Sequence, residues 1–559
     1  KEVIPARGFQ SSVDYKQIFG LGQFKKIDSV QVIWPNLTQS ILKIQKLDTV
    51  YTIEQAKQAV TPFVVVEQKI APLFEEVKNN FEKHTEDDHV DFYAERIIPR
   101  ILSQEGPKAA SADLNGDGLA DIFIGGANNK GSQIYLQTSN GDFKPKPQAA
   151  FAAFTSYEDV AAVCFDADKD GDMDLLVGSG GNNRLSTRGE LNHRLFLNDG
   201  KANFTHKMDA FPVFEYNTGV MVPLDYDLDG DLDVFVGARN TPLKYGVTPS
   251  SALYQNNGQG QFKDVTKTVA PDFASLGMVT SAVVGKLNNK AGVSLVVVGE
   301  YMYPMVYAFE KGKMVEQVTN LKEMNGWWQS IQIADIDGDG YQDLIIGNMG
   351  ENGYLKPTPK TPVKLWINDF DGNESIDKIL TRTIDGRDVP VFLKGEMQEQ
   401  IPLLKKENLN YEIYAKKSFQ ELFKKELIDK AAMKLYNFAS SIIAWGKGNG
   451  QFVVQRLPNE VQFSSLNAMV SMDVNADNKL DLVMGGNQFG FLPQFGRLDA
   501  NYGLVLINKG NRILDVIEDK QSGLNITGQV RDMLLIQQPK QKGVLFFRNN
   551  QYPVFMKIK

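Results

Sequence analysis

Five segments place oxygen-bearing side chains at alternate positions of a nine-residue frame. They are Asp113, Asn115, Asp117 and Asp121; Asp166, Asp168, Asp170 and Asp174; Asp225, Asp227, Asp229 and Asp233; Asp335, Asp337, Asp339 and Asp343; and Asp473, Asn475, Asp477 and Asp481. Alternate oxygens suit a hard cation such as calcium. Positions 1, 3, 5 and 9 turn carboxylate or amide oxygens inward, and position 7 offers its backbone carbonyl. That position is held by Leu119, Asp172, Asp231, Tyr341 and Lys479. Glycine at position 6 permits the closing turn, and Asn478 there tolerates the same left-handed conformation. Without a cation such clustered carboxylates repel one another. The plainer alternative is a set of Asp/Gly-rich turns without metal, but five copies of one spacing favour calcium. A sixth candidate is Asp369, Asp371, Asn373, Ser375 and Asp377, although it carries Gly372 at position 4 and Glu374 at position 6. The expectation is therefore about five to six calcium ions.

The elements around these loops are β-strands. Each of the five is followed at once by an apolar run ending in Gly, such as Ile122–Gly125 or Val234–Gly237. An EF-hand would need a bidentate Glu at position 12 and a following helix. Position 12 here is apolar, as at Ile124, Val236 and Ile346, so the loop joins two strands. A second hairpin with an Asn-Gly or Asp-Gly type turn follows, as in 194–204 and 252–262. Four strands per unit make a propeller blade. A further copy around 284–299 keeps its strands but has lost the acids, reading Lys286, Asn288, Asn289 and Lys290 in the loop. Cores near 113, 166, 225, 286, 335, 473 and 531 predict an all-β protein with a seven-bladed β-propeller. The long gap after 335 leaves room for an eighth blade. Within that gap, 386–440 reads as a partly helical insertion, with Leu422, Phe423, Leu427 and Ala431 on a 3.6-residue period. Residues 1–55 read as a small β domain, 56–96 as a connector, and 97–559 as the propeller.

Composition narrows the function classes. The net charge of −8 argues against a nucleic-acid binder that relies on phosphate attraction. Six divalent ions would more than offset that charge, so it says little about partners. One cysteine, Cys164, excludes an internal disulfide, and its apolar surroundings mark it as a core residue. His84, His89, His193 and His206 show no zinc spacing and read as surface or packing residues. No apolar run approaches the ~20 residues of a membrane span. The chain starts at Lys1 without Met, so a removed targeting segment or a longer precursor is expected.

The loop pattern resembles the FG-GAP/VCBS repeat of integrin α-subunit heads over roughly 110–350 and 465–490. The N-terminal Arg7-Gly8-Phe9, Phe19–Gly22 and Asp28–Pro35 resemble the ASPIC/UnbV domain. Leu102–Gly106, Asn325–Trp328 and Gly496–Gly503 are similar to large exported Bacteroidetes FG-GAP proteins. These resemblances imply exposure at the outer-membrane surface or in the periplasm of a Gram-negative bacterium. They also imply a lipoprotein anchored through a missing N-terminal part, in which Lys1 follows a first propeller.

A binding or scaffold protein is the expected function, not an enzyme. Trp327 and Trp328 are candidate stacking surfaces for a sugar or peptide, against the plainer reading of packing between blades. Arg497, Asp499 and Tyr502 are loop candidates for the same ligand surface. On resemblance alone, the partner expected is a TonB-dependent outer-membrane transporter. The rival is a polysaccharide hydrolase or lyase built on paired carboxylates. Against it, about a third of the 68 acids lie in the candidate calcium loops, and no nucleophile elbow, zinc or phosphate-loop motif is present.

Overall fold

A computed structural model describes all residues except 1–2, 5–9, 13, 64–70, 183–189, 289–291 and 539–540. Arg7, Gly8 and Phe9, and the acid-less turn at 289–291, lie outside the described residues. The chain divides into two compact units, Lys1–Ile70 and Ala71–Lys559.

The smaller unit is a three-stranded antiparallel sheet of Val30–Ile33, Thr38–Leu42 and Thr61–Pro62. Val30 pairs with Leu42 and Ile33 with Gln39. The Trp34 indole N–H donates to Ser40 Oγ at 2.9 Å and pins the bend between the first two strands.

The larger unit is a β-propeller. Its first sheet is built from Ala109–Ala112, Asp121–Ile124, Gln133–Gln137 and Phe143–Pro145, each strand antiparallel to the next. Strand periodicity explains why its central strands read as unbroken apolar runs. Ile122, Ile124 and Tyr135 face the last sheet, where Ile536, Leu545 and Phe547 meet them. Phe123 and Ile134 point the other way, onto Leu175, Val177 and Phe196 of the second sheet. Both faces are buried, so both sets of alternate residues must be apolar.

The same apolar seam recurs between each successive pair of sheets. The first strands, Ala109–Ala112, Asp159–Phe165, Asn217–Leu224, Met278–Gly285, Ser330–Ala334, Leu466–Met472 and Gln529–Gln538, neighbour one another in that order, and the last returns to the first. A further four-stranded sheet lies outside this cycle, so the choice between seven and eight depends on whether it is counted.

That extra sheet sits between Gly347 and Ile442, the second and third strands of the fifth sheet. It comprises Val363–Asn368, Asp377–Ile384, Arg387–Pro390 and Ala432–Tyr436, with five short helices between the last two. The insertion is thus longer than the 386–440 read from helical periodicity. Its strands resemble those of any blade, so only three-dimensional pairing separates them.

Residues 56–96, expected as a connector, divide between the units. Phe74–Val77 pairs with Val554–Ile558 as the fourth strand of the last sheet, Phe74 facing Ile558 and Val77 facing Phe555. The ring is therefore closed by a strand from its beginning and three from its end.

From there the chain crosses the end of the propeller where the second strands finish. Glu95 accepts from Lys378 Nζ at 2.6 Å, Asn182 Nδ2 at 2.8 Å and the Tyr245 backbone N–H at 2.8 Å. Arg100 is 1% exposed and reaches Glu300 at 2.6 Å. Glu300 also takes Arg239 at 2.9 Å, and Arg239 and Arg100 share Glu105. The Gln104 and Gly106 carbonyls accept from Arg531 and Asn549 of the last sheet. Residues 91–106 thereby tie the second, third, fourth and last sheets and the insertion across the axis. Burial alone would raise the Glu300 carboxyl, but the two guanidiniums overcome it and hold it at about 2.

Beside this segment lie two acids that, unlike Glu300, are raised. Burial pushes the Glu86 carboxyl up to about 7, and that of neighbouring Glu158 well above its usual range. Asn549 Nδ2 donates to Glu86 and the Asn128 backbone N–H to Glu158, while Arg531 and Asp87 act on Glu86 with opposite signs. A carboxyl raised on folding contributes stability that is full below its unfolded value of 4.5 and is lost as pH rises through about 7. Stability measured by denaturant should therefore fall between about pH 5 and 8, by on the order of 2 kcal/mol from this pair. Glu86→Gln should flatten that slope. An unchanged slope in the variant would remove the pair as its source.

Candidate metal-binding loops

All six acidic loops join two antiparallel strands, the first and second of a propeller sheet or, for Asp369–Asp377, two strands of the inserted sheet. The five propeller loops lie at the end of the strands opposite to residues 91–106, whereas the inserted loop lies beside that segment, Lys378 next to Asp377 reaching Glu95. One hydrogen-bond scheme builds each of them. The position-1 carboxylate caps the turn. Asp113 Oδ1 accepts from the Gly116 N–H at 2.8 Å and its Oδ2 from Gly118 at 2.7 Å, Asp335 and Asp369 repeat the pattern, and Asp473 accepts from Asp477 on Oδ1 and from Asn478 on Oδ2.

The position-9 aspartate is a buried staple. One oxygen accepts from the backbone N–H of position 2, as Asp174 does from Ala167 at 3.0 Å. The other accepts from the end of the third strand, as Asp174 does from Asn198 at 2.9 Å. Asp121, Asp233, Asp343 and Asp481 do the same. In Asp377 the second donor is the Gln400 side chain. Burial raises these carboxyls, to about 6 in Asp121 and Asp343 and about 7 in Asp174 and Asp233; neighbouring loop acids add to the rise.

Two residues in every loop take positive φ. At position 6 they are Gly118, Gly171, Gly230, Gly340, Glu374 and Asn478; at position 4, Gly116, Lys169, Leu228, Gly338, Gly372 and Ala476. The Asp369 loop is therefore not misregistered. Its Gly372 occupies the other left-handed position, and Glu374 adopts φ 66° at the position glycine usually fills.

What remains unsatisfied is the informative part. Asp166 Oδ1, Asp168 Oδ1, Asp225 Oδ1, Asp227 Oδ1 and Asp371 Oδ1 are buried without a partner, whereas Asp231 Oδ1 pairs with Lys169. Buried carboxylate oxygens are costly unless paired. Among the described residues, four acidic groups hold ligand atoms within 4.8 Å of one another: Asp166, Asp168 and Asp174; Asp225, Asp227 and Asp229; Asp335, Asp337 and Asp339; Asp369, Asp371 and Asp377. Each could hold a metal ion. The loops at 113 and 473 have an amide at position 3, Asn115 and Asn475, which supplies oxygen without charge. Asp117 and Asp477 accept from the position-7 N–H groups of Leu119 and Lys479, as position 5 does in the other loops. Asp172 and Ser375 hold position 7 in the loops at 166 and 369, and Asp170 and Asn373 hold position 5. Arg512 pairs with Asp337 at 2.7 Å and lies 3.6 Å from Asp339.

Sequence reasoning missed the residues that tie loop to loop. Asn198 Nδ2 donates to the Leu114 carbonyl of the preceding loop at 2.8 Å, Asn256 to Ala167 at 2.9 Å, and Asn508 to Ile336 at 2.6 Å. Each Asn closes a third strand before an x-Gly turn, and that recurrence was the available signal. Each of these three loops thus braces its own sheet through position 9 and the next sheet through position 2.

The expected ligand surface is redrawn. Trp328 is fully buried and its indole N–H donates to the Met302 carbonyl, so it packs between sheets and offers no stacking face. Trp327 is buried against Tyr436, with ring centroids 4.7 Å apart and planes 7° from parallel. Arg497 is exposed, lies 4.3 Å from the Phe489 ring and pairs with Asp499 at 2.5 Å. Tyr502 is exposed. Cys164 packs between the first two sheets, where burial pushes its thiol up to about 12.

A ring of four-stranded sheets with Asp loops between first and second strands defines the FG-GAP class of repeat propeller. Family models agree: ASPIC and UnbV matches residues 1–60, FG-GAP-like repeat 113–177, and FG-GAP repeat 327–360. The chain is an FG-GAP repeat protein with an N-terminal UnbV domain. No curated protein matches it. Solved structures similar to it include the V. cholerae biofilm matrix protein Bap1, at 9% identity and TM-score 0.37, covering 87% of this chain and 91% of that one. YCF48 bound to D1 peptide matches at 8% identity and TM-score 0.37 over 87% and 96%, respectively. BBS1N in complex with ARL6DN matches at 10% and 0.39 over 88% and 98%.

Proposed function

We propose that the protein is a calcium-stabilised binding and scaffold protein that works outside the cytoplasm. The observation that carries this reading is the set of buried, partnerless carboxylate oxygens in the loops at 166, 225 and 369. A divalent ion among them would satisfy oxygens that water does not reach. Asp166, Asp168, Asp170 and Asp174, with the Asp172 carbonyl, would hold one ion, and the five other loops would use the same positions. Because the loops at 113, 166 and 335 are bonded to the next sheet, a bound ion there would stiffen the seam as well as the turn.

Extracytoplasmic work suits this chemistry. A loop without the bidentate Glu of an EF-hand fits the weaker affinities of extracellular modules, about 10⁻⁴–10⁻³ M. The resemblance to exported FG-GAP proteins supports a surface-exposed subunit of an outer-membrane assembly beside a TonB-dependent transporter. With residues 91–106 across the axis, the rim loops and the 348–441 insertion are the surfaces free to bind. Gentle detergent extraction of native membranes should retain a partner in calcium and release it on chelation. A protein that stays monomeric and retains nothing under either condition would count against this role.

A further inference from the structure

We infer that a small polar cavity between the first three sheets holds one calcium ion, on the amide oxygens of Asn128 and Asn217 and the carboxylates of Glu158 and Glu190. This site shares no residue with the acidic loops and does not rest on the reading of them.

The cavity lies at the end of the propeller that residues 91–106 cross, opposite to the five propeller loops. Asn128 follows the second strand of the first sheet, and Glu158 precedes the first strand of the second. Glu190 precedes the third strand of that sheet, and Asn217 opens the first strand of the third sheet. The free space is about 20 Å³, room for one water or one monatomic ion and for nothing larger.

Two of the lining side chains are oriented by a carboxylate that can only accept. Glu95 is paired with Lys378 and takes the Asn182 Nδ2 at 2.8 Å. Asn182 Oδ1 is then the end that accepts from Asn240 Nδ2, at 3.3 Å, and Asn240 Oδ1 accepts from Asn217 Nδ2 at 3.0 Å. The series turns the nitrogen of Asn217 toward Asn240 and leaves its oxygen for the cavity it lines. Asn128 is set in the same way, its Nδ2 donating to Asp87 Oδ2 at 2.6 Å. The two asparagines are 6% and 2% exposed, and both Oδ1 atoms are buried with no donor. The hydroxyls of Ser156 and Tyr157 line the cavity too, and neither donates to them. Glu158 keeps Oε2 on the Asn128 backbone N–H at 2.9 Å and has no donor for Oε1.

A lining of acceptors without donors calls for a positive occupant. Oxygen ligands alone select a hard cation, and two carboxylates balance a divalent one. Ligands from three separate sheets suit the flexible 6–8 coordination of calcium better than the near-ideal octahedron of magnesium, with water at the mouth completing the shell. With the ion in place Glu158 is charged, against the burial and the Glu86 charge that otherwise raise its carboxyl. Two carboxylates, against at least three in every acidic loop, hold the ion more weakly. It therefore leaves with the free ion and is seen only while calcium is present.

The test is a crystal structure of the full chain in about 10 mM calcium, above the 10⁻⁴–10⁻³ M constants of extracellular modules. Data are collected at long wavelength, where calcium scatters anomalously and water does not. An anomalous peak should stand between Asn128 and Asn217, with oxygens at about 2.3–2.6 Å. Asn217→Leu should abolish it. Glu190→Gln, at a half-buried position that burdens the fold less, should lower its occupancy several-fold. A water there without anomalous signal, about 2.8 Å from the two amide oxygens, overturns the proposal. So does a peak of equal height in wild type and Glu190→Gln. Peaks in the loops without one in the cavity contradict this site alone, and a cavity peak without loop peaks contradicts only the reading of the loops.

Discussion

Replacing Glu300 with alanine is expected to cost the fold about 3–5 kcal/mol, read as a drop in the denaturant midpoint with an unchanged slope. Glu300 is 1% exposed and is the shared counter-charge of Arg100 and Arg239, both buried. Removing it leaves two guanidiniums out of water with only half-buried Glu105 between them. The loss also reaches the Tyr245 hydroxyl, 3.3 Å from Glu300 Oε2. Because Arg100 belongs to the segment crossing the axis, that segment should loosen first. Amide exchange at Ile101 and Leu102, whose N–H groups bond to Gly490 and Asp91, reports it directly. A loss below about 1 kcal/mol would mean that water reaches the arginines and that the network does not hold the segment.

The second large effect is a dependence on calcium. Calcium at a hundred times its dissociation constant stabilises by about 2.7 kcal/mol per site, and several sites add. Exchanging both Asp225 and Asp227 for alanine should remove one site's share in calcium buffer. In chelator the same pair of changes should cost much less, because deleting two buried oxygens without partners and relieving repulsion with Asp229 offsets the lost hydrogen bonds from Gly230 and Gln255. Thermal melts of wild type and variant, each with calcium and with chelator, give the four values needed. Equal destabilisation in both buffers would make these aspartates turn-formers alone.

The acidic loops were legible because their geometry is local. Nine residues carry the position-1 cap, the position-9 staple and the two left-handed turns, so their spacing survives in the sequence. The second left-handed position was hidden because Lys169, Leu228 and Ala476 occupy it in three copies. Only glycine advertises such a backbone. The apolar runs of the central strands were equally plain, since both faces of each sheet are covered.

What escaped was non-local. Nothing within Phe74–Val77 says that its partner lies at Val554–Ile558, at the other end of the chain. The inserted sheet escaped because a strand of a fifth-sheet hairpin and a strand of an insertion carry the same alternation. The tryptophan pair shows the limit for sites. Trp327 and Trp328 are identical in type and adjacent, yet one indole is satisfied by Met302 and the other is not. Only the packing of three separate loops makes that distinction. The axial arginine–glutamate network was likewise invisible, because Arg100, Arg239 and Glu300 lie in unrelated stretches.

Metal content of the purified full chain tests the central proposition most directly. After equilibration in calcium and removal of free ion, elemental analysis should find about five to six calcium ions per chain. Chelation should strip them and lower the melting temperature. A chain that retains no calcium above buffer and melts identically in chelator would contradict it, and the aspartates would then be turn residues braced by their own backbone.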